Sequence, residues 1–418
     1  MLKNSLTHVA SLCCIVLSIP ALSVADWPQF RGPGGLGISQ AKDLPLAWSE
    51  TENILWKTPL PGYGSSSPIA LDGKLYVTCY SGFGIKRGRG TMEDLRLHVV
   101  SADAQNGEIA WDKQIKPTLP ESSRVRDHGY AAPTPATDGK HLYVFFGKSG
   151  VFKFDLKGNQ LWRAGVGDRT HGWGCGTSPV LYENLVIVNA SVESGSLVAI
   201  DKETGNEVWR TEGMNSSWNT PHLVTTPNGR RELAVSVKNW ILAYDPTTGK
   251  ELWRCEGIPD YVCPSIVSHE SVLYVLGGRS SKAIAVRSGG RGNVTDSHKL
   301  WQADVGANVC SPVVHEGHLY WVSDRNRTAY CLDLSNGSIK YEQRVSKQPY
   351  ASALLADGRL YVVTRGGDTM VLAARPRFEQ LALNELDDSS TFNASPIVCD
   401  GALILRSDEN LYAIKKTR

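Results

Sequence analysis

The stretch DKETGNEVW, Asp201 to Trp209, places an aspartate, a glycine and a tryptophan at four-residue intervals. An aspartate side chain accepts hydrogen bonds from amides two and three residues on, and a glycine supplies positive φ, so the first half is a tight turn. The Glu-Val-Trp that follows has strand character. The arrangement returns as DAQNGEIAW ending at Trp111, DLKGNQLW at Trp162, DPTTGKELW at Trp253 and DLSNGSIKY at Tyr341. Five occurrences of a turn that runs into an aromatic strand identify a repeat.

Upstream of each turn lies a second signature. SSPIALDGKLYV (66–77) is matched by TPATDGKHLYV (134–144), SPVLYENLVIV (178–188), CPSIVSHESVLYV (263–275), SPVVHEGHLYWV (311–322), SALLADGRLYVV (352–363) and SPIVCDGALIL (395–405), with a looser copy, TPHLVTTPNGRRELAV, at 220–235. Taking Pro68, Pro135, Pro179, Pro221, Ser265, Pro312, Ala353 and Pro396 as equivalent, the steps are 67, 44, 42, 44, 47, 41 and 43. Within one unit the Val/Ile/Leu/Tyr runs predict four short strands joined by turns, an antiparallel meander with no helical period. Such a sheet cannot bury both faces alone, and a period of 40–47 residues is that of a β-propeller blade.

The reading is therefore an all-β chain, an eight-bladed β-propeller of four-stranded antiparallel blades. ENILWKTPLPG (52–62) carries an outer-strand signature with no first three strands before it, and the last copy ends at NLYAIKK with no fourth strand after it. Pairing Ile54–Pro59 with Leu411–Ile414 completes the last blade with an N-terminal strand and leaves no open edge in the ring.

With these motifs in place the chain resembles the PQQ-like, or quinoprotein-like, β-propeller repeat proteins, over about 54–415. That family includes BamB-type scaffold propellers and PQQ-dependent alcohol dehydrogenases, so the resemblance implies the fold and leaves activity open. Its dehydrogenases use PQQ with calcium, an aspartate base and an adjacent-cysteine disulfide. Here the only adjacent pair is Cys13–Cys14, and no segment matches their metal-binding Asp/Asn motif.

The fold places the links between blades and the turns between second and third strands on one face, around the channel mouth. Seven links carry an aromatic, Tyr63, Tyr130, Trp173, Trp218, Tyr261, Tyr350 and Phe392, with Asn308 as the exception. Most turns carry a base: Lys148, Lys238, Arg279, Arg325, Arg365 and Arg406, with Lys86, Arg87 and Arg89 in a long first-blade insertion and Glu193 breaking the rule. Arg124, Arg126, His128, Arg169 and His171 add to the same face. The pattern predicts an aromatic and basic ring suited to an anionic small molecule or a glycan; packing of the aromatics between blades, with solvated Lys and Arg, is the competing reading. Asp127–His128 and Asp168 with His171 are the pairs that could hold a base and its orienter. Cys175, Cys263 and Cys310 occupy similar places in blades three, five and six, and seven cysteines beyond residue 25 read as small buried residues or as one or two bridges.

Residues 1–25 read as a cleavable signal peptide, with Lys3, an apolar Val9–Leu22 and small residues at Ser23 and Ala25, so export to the periplasm or beyond is expected, with no transmembrane segment after cleavage. Residues 26–51, opening ADWPQFRGPGGLGIS, read as an extended strap whose Trp27 and Phe30 dock on the ring, ahead of the propeller at 52–418. Its prolines and glycines exclude a regular helix. With 44 Lys+Arg against 42 Asp+Glu, nucleic acid is not an expected partner. The leading expectation is an exported, monomeric, non-enzymatic scaffold or binding protein with an envelope protein or peptide partner and no cofactor. A quinoprotein-like oxidoreductase using PQQ and calcium, or a binder of an anionic cofactor or glycan, is the alternative.

Overall fold

Each repeat folds into one antiparallel sheet. In the computed structural model, which describes residues 26–85 and 90–416, eight such sheets form the ring, so the expected fold is the observed one. In blade one, Ile69–Leu71, Lys74–Ser81, Arg96–Asp103 and Ile109–Ile115 follow one another as neighbours. The apolar runs are covered on both faces by adjacent blades, whereas outer strands such as Glu207–Glu212 are largely exposed. Ile54–Pro59 pairs antiparallel with Asn410–Ile414 and supplies the outer strand of blade eight, as the sequence predicts. The expected signal peptide and the Lys86, Arg87 and Arg89 insertion lie outside the described residues.

The Asp-Gly-Trp spacing turns out to join one blade to the next. The indole N–H groups of Trp56, Trp111, Trp162, Trp209 and Trp301 donate to the backbone oxygens of Ala104, Leu156, Lys202, Pro246 and Leu334, each in the turn of the following blade. The glycine of that turn lies against the indole: a Cβ on Gly107, Gly205, Gly249 or Gly337 would stand under 3 Å from the ring. Glycine is thus required both by positive φ and by contact with its neighbour. Blade five lacks this turn and carries the insertion 288–298, whose Gly292–Asn293 lies along the outer strand of blade four. Trp253 there donates to the buried Glu232 carboxylate instead.

A second belt runs around the channel. The residue before each proline position carries a hydroxyl, and the backbone N–H of each donates to the hydroxyl oxygen of the next blade: Ser67 to Thr134, Ser178, Thr220, Ser265, Ser311, Ser352, Ser395 and back to Ser67, at 2.9–3.3 Å. This circuit corrects the repeat alignment in blade five. Ser265 belongs with Ser67, so the proline position there is Ile266, one residue later than the spacing had placed it.

The strap crosses the opposite face of the ring from the channel mouth. Trp27 exchanges backbone hydrogen bonds with Ala70 of blade one, Pro28 accepts from Thr137 of blade two, and Ile38–Ser39 runs parallel to Leu355–Ala356 of blade seven. Between these points Arg31, 2% exposed, donates to the Gly35 and Leu36 oxygens and to Pro312 of blade six. A Cβ at Gly32 would strike the Trp27 indole at 2.7 Å and one at Gly37 would strike Arg31, which fixes both glycines. Pro33–Gly35 forms a single 3-10 turn. Farther on, Leu44 and Trp48 are buried against blades seven and eight, with Trp48 stacked on Tyr361.

Candidate functional site

Where the hydroxyl belt meets the strap, the channel becomes a blind cup. Its volume is about 280 Å³; Phe30 of the strap closes the floor, seven of the eight belt hydroxyls line the waist, and the links between blades form the mouth. The floor exists because Trp27 and Arg31 anchor the backbone on either side of Phe30.

The seven predicted aromatics divide. Trp173, Trp218, Tyr261 and Tyr350 line the cup. Trp173 sits 5.0 Å from Trp218 and 4.9 Å edge-on from Tyr261, and His171 flanks both indoles at 5.6 and 5.2 Å. The Trp218 N–H is held by the Gly174 oxygen at 3.0 Å, which fixes the indole. Tyr63 and Tyr130 instead join Tyr80 and Phe83 between blades one and two, and Phe392 is wholly buried against Tyr412. These three side chains pack against the blades and do not line the cup, although Ser65, His128 and Asn393 of the same links do.

The predicted basic ring is mostly occupied by the protein itself. Arg365 donates through two nitrogens to one Asp127 oxygen at 3.2 Å and lies over the Tyr350 ring at 5.0 Å. Arg279 lies over Tyr261 at 5.5 Å, and Arg325 donates to the Arg279 backbone oxygen and to Ser281. Arg406, 1% exposed, is a blade-joining group that donates to Ser66 and to the Thr78 oxygen. Arg126 lines the mouth and is exposed. In this arrangement the guanidinium groups of Arg279, Arg325, Arg365 and Arg406 are engaged by carboxylate, hydroxyl, carbonyl or ring partners of the protein itself.

Asp127 and His128 do not form a base with its orienter, since Asp127 is taken by Arg365 and His128 Nδ1 faces the Tyr350 hydroxyl at 3.4 Å. Burial pulls His128 down to about 4, against the opposing pull of Asp127 and a backbone hydrogen bond at Trp173, so the ring is neutral at ordinary pH. Two residues that sequence reasoning missed shape the wall. Asp324, 6% exposed, accepts the Asn308 and Val309 amides at 2.9 and 3.0 Å, and burial raises its pKa despite those bonds. Asn393, 7% exposed, donates to the Asp127 backbone oxygen. Asn308, noted only as an exception among the aromatics, lines the cup, and the side-chain oxygens of Asn308 and Asn393 are buried with no donor from the described residues. Nothing in the local sequence separates these from ordinary turn residues.

Among the described residues no three His, Cys, Asp or Glu side chains come together as a metal site, and the seven cysteines are free thiols. Cys263 lines the cup, Cys310 faces the Tyr350 oxygen and Cys175 lies by Glu193, so the three are not one cluster. Calcium with PQQ would need six to eight converging oxygen donors. Of the two carboxylates here, one is committed to Arg365 and the other to two amides, and no adjacent cysteines occur in the propeller. The residues present do not fit that group.

Compared with known proteins, residues 34–172, 147–300 and 292–417 match the family described as outer membrane protein assembly factor BamB. No curated protein matches the chain. Solved structures with the same fold include BamB from Moraxella catarrhalis (12% identity, TM-score 0.62, covering 87% of this chain and 98% of that one). They also include quinohemoprotein alcohol dehydrogenase from Comamonas testosteroni (12%, 0.67, 94% and 81%) and a europium-containing methanol dehydrogenase (12%, 0.64, 94% and 90%). Scaffold and dehydrogenase share this architecture, and the site must distinguish them.

Proposed function

We propose that this chain, which belongs to the outer membrane protein assembly factor BamB family, is an exported, non-catalytic binding protein that takes its ligand into the blind cup from the one open face. The observation that carries this reading is the state of the wall. Its aromatic faces are preorganised, while the groups that acid–base chemistry would use are already held, Asp127 by Arg365 and Asp324 by two amides, with His128 kept neutral by burial. A rigid ring with a small apolar and polar pocket is suited to recognition. Export and a role in the cell envelope follow the resemblance and the signal-like first 25 residues.

The test compares two assays on one preparation. Purified protein is incubated with PQQ and calcium, desalted and tested for dye reduction with alcohols and sugars. In parallel, its melting temperature is followed across envelope-type small ligands, oligosaccharides and short peptides, for wild type and for Trp173→Ala. The expected result is no retained quinone absorbance and a ligand-dependent rise in Tm that Trp173→Ala loses. Retained quinone with turnover would overturn the reading.

A further inference from the structure

Resting on that binding reading, we propose that the cup holds the terminal ring of a neutral oligosaccharide, stacked against Trp173 and Trp218 and hydrogen-bonded to the side-chain oxygens of Asn308 and Asn393. The first argument is the unspent polar groups. Asn393 Nδ2 donates to the Asp127 oxygen, so its Oδ1 is the atom left without a donor; Asn308 Oδ1 is in the same condition. Both oxygens are closed to solvent in the empty cup, so binding includes a small turn of each Asn side chain toward the ligand; a buried acceptor left unmade costs about 1–3 kcal/mol, which a ligand hydroxyl then recovers. Below them the Ser and Thr of the belt each accept one amide, which leaves their O–H groups to donate into the cup. A wall that offers acceptors near the mouth and hydroxyls at the waist matches a ligand whose own hydroxyls both donate and accept.

The second argument is charge. An anion needs free guanidinium groups, yet Arg365 is committed to Asp127, and Arg279 and Arg325 are held beside Tyr261 and by backbone oxygen. A cation would meet Arg279 and Arg365 already lying on the tyrosine faces. Arg126 lines the mouth and is exposed, so a lone guanidinium there is screened by solvent and salt. What remains for the ligand is neutral hydrogen bonding and the tilted indole pair, which offers the apolar C–H face of a pyranose a surface on which to stack. The third argument is shape. At about 280 Å³ the cup lies at the low end of small-ligand pockets and is closed by Phe30, so a chain enters by its end.

Intrinsic tryptophan fluorescence tests this directly. Maltotriose, cellotriose and chitotriose are titrated into the full-length mature protein beside citrate and triglycine. At least one trisaccharide should give a saturable change, weakened at least tenfold by Trp173→Ala and about tenfold by Asn308→Ala. Both variants should keep the cooperative melting of the wild type, which separates lost contacts from lost folding. Saturable binding of citrate or triglycine with the same sensitivity to Trp173→Ala, and none of the sugars, would overturn the sugar assignment while leaving the binding reading intact. No response to any of the five, together with retained PQQ, would remove both.

Discussion

Glu193 takes the turn position that holds a base in most other blades, and its side chain goes inward, 2% exposed, beside Cys175. Burial raises its pKa from 4.5 to about 7, against smaller opposing effects of a backbone bond and Cys175. A raised carboxyl stabilises the fold fully below its unfolded value, and that contribution is lost as pH rises through 7. Glu193→Gln should therefore melt higher than wild type at pH 8, with the gain gone at pH 4.5, as a pair of thermal melts would show. His222 has the opposite sign: burial lowers it from 6.5 to about 4, so its contribution is complete above pH 6.5 and is lost as pH falls toward 4. A His222→Gln variant should lose less stability between pH 7 and pH 4 than the wild type does. Neither burial could be read from sequence, because a lone acidic group in a turn or an imidazole at the start of a strand gives no sign of whether it faces water.

Between residues and the ring lies the joint from blade to blade. Gly249→Ala would set a methyl 2.4 Å from Trp209 at a φ of +68°, so denaturant melts should show a loss of roughly 2–4 kcal/mol from strain and overpacking. Trp209→Phe removes the bond to the Pro246 oxygen together with part of the indole that packs on Gly249, and should cost about 1–3 kcal/mol. Ser311→Ala strips the acceptor from the buried Ser265 amide and should cost about 1–3 kcal/mol, measured the same way. The tryptophan joint was legible because an Asp, a Gly and a Trp, the last a scarce residue type, recur at fixed spacing. The hydroxyl belt was not, since Ser and Thr before proline read equally well as turn residues, and the one-residue misplacement at Ser265 went unseen for that reason. The same limit applies to the aromatics: seven of the eight links offer one, and its place in the sequence does not show whether the side chain lines the channel, as Trp173 does, or packs among the blades, as Phe392 does.

At the scale of the whole molecule the strap converts an open channel into a cup. Its docking was expected from the apolar character of Trp27 and Phe30, but its route under the channel depends on contacts with blades one, two, six and seven that no local pattern encodes. Trp27→Ala should cost about 3–5 kcal/mol, and a protein lacking 26–40 should melt lower than wild type; an unchanged Tm in the truncated form would mean that these contacts contribute nothing to the closed ring. The central claim is that one ligand enters from the open face and stops at Phe30. Its most direct test is a crystal structure of the protein grown with the tightest-binding trisaccharide. A single sugar ring against Trp173 and Trp218, within hydrogen-bond reach of Asn308 and Asn393 and above the hydroxyl belt, is the predicted result. Sugar density confined to the outer strands or to the strap face, with an unfilled cup, would contradict it.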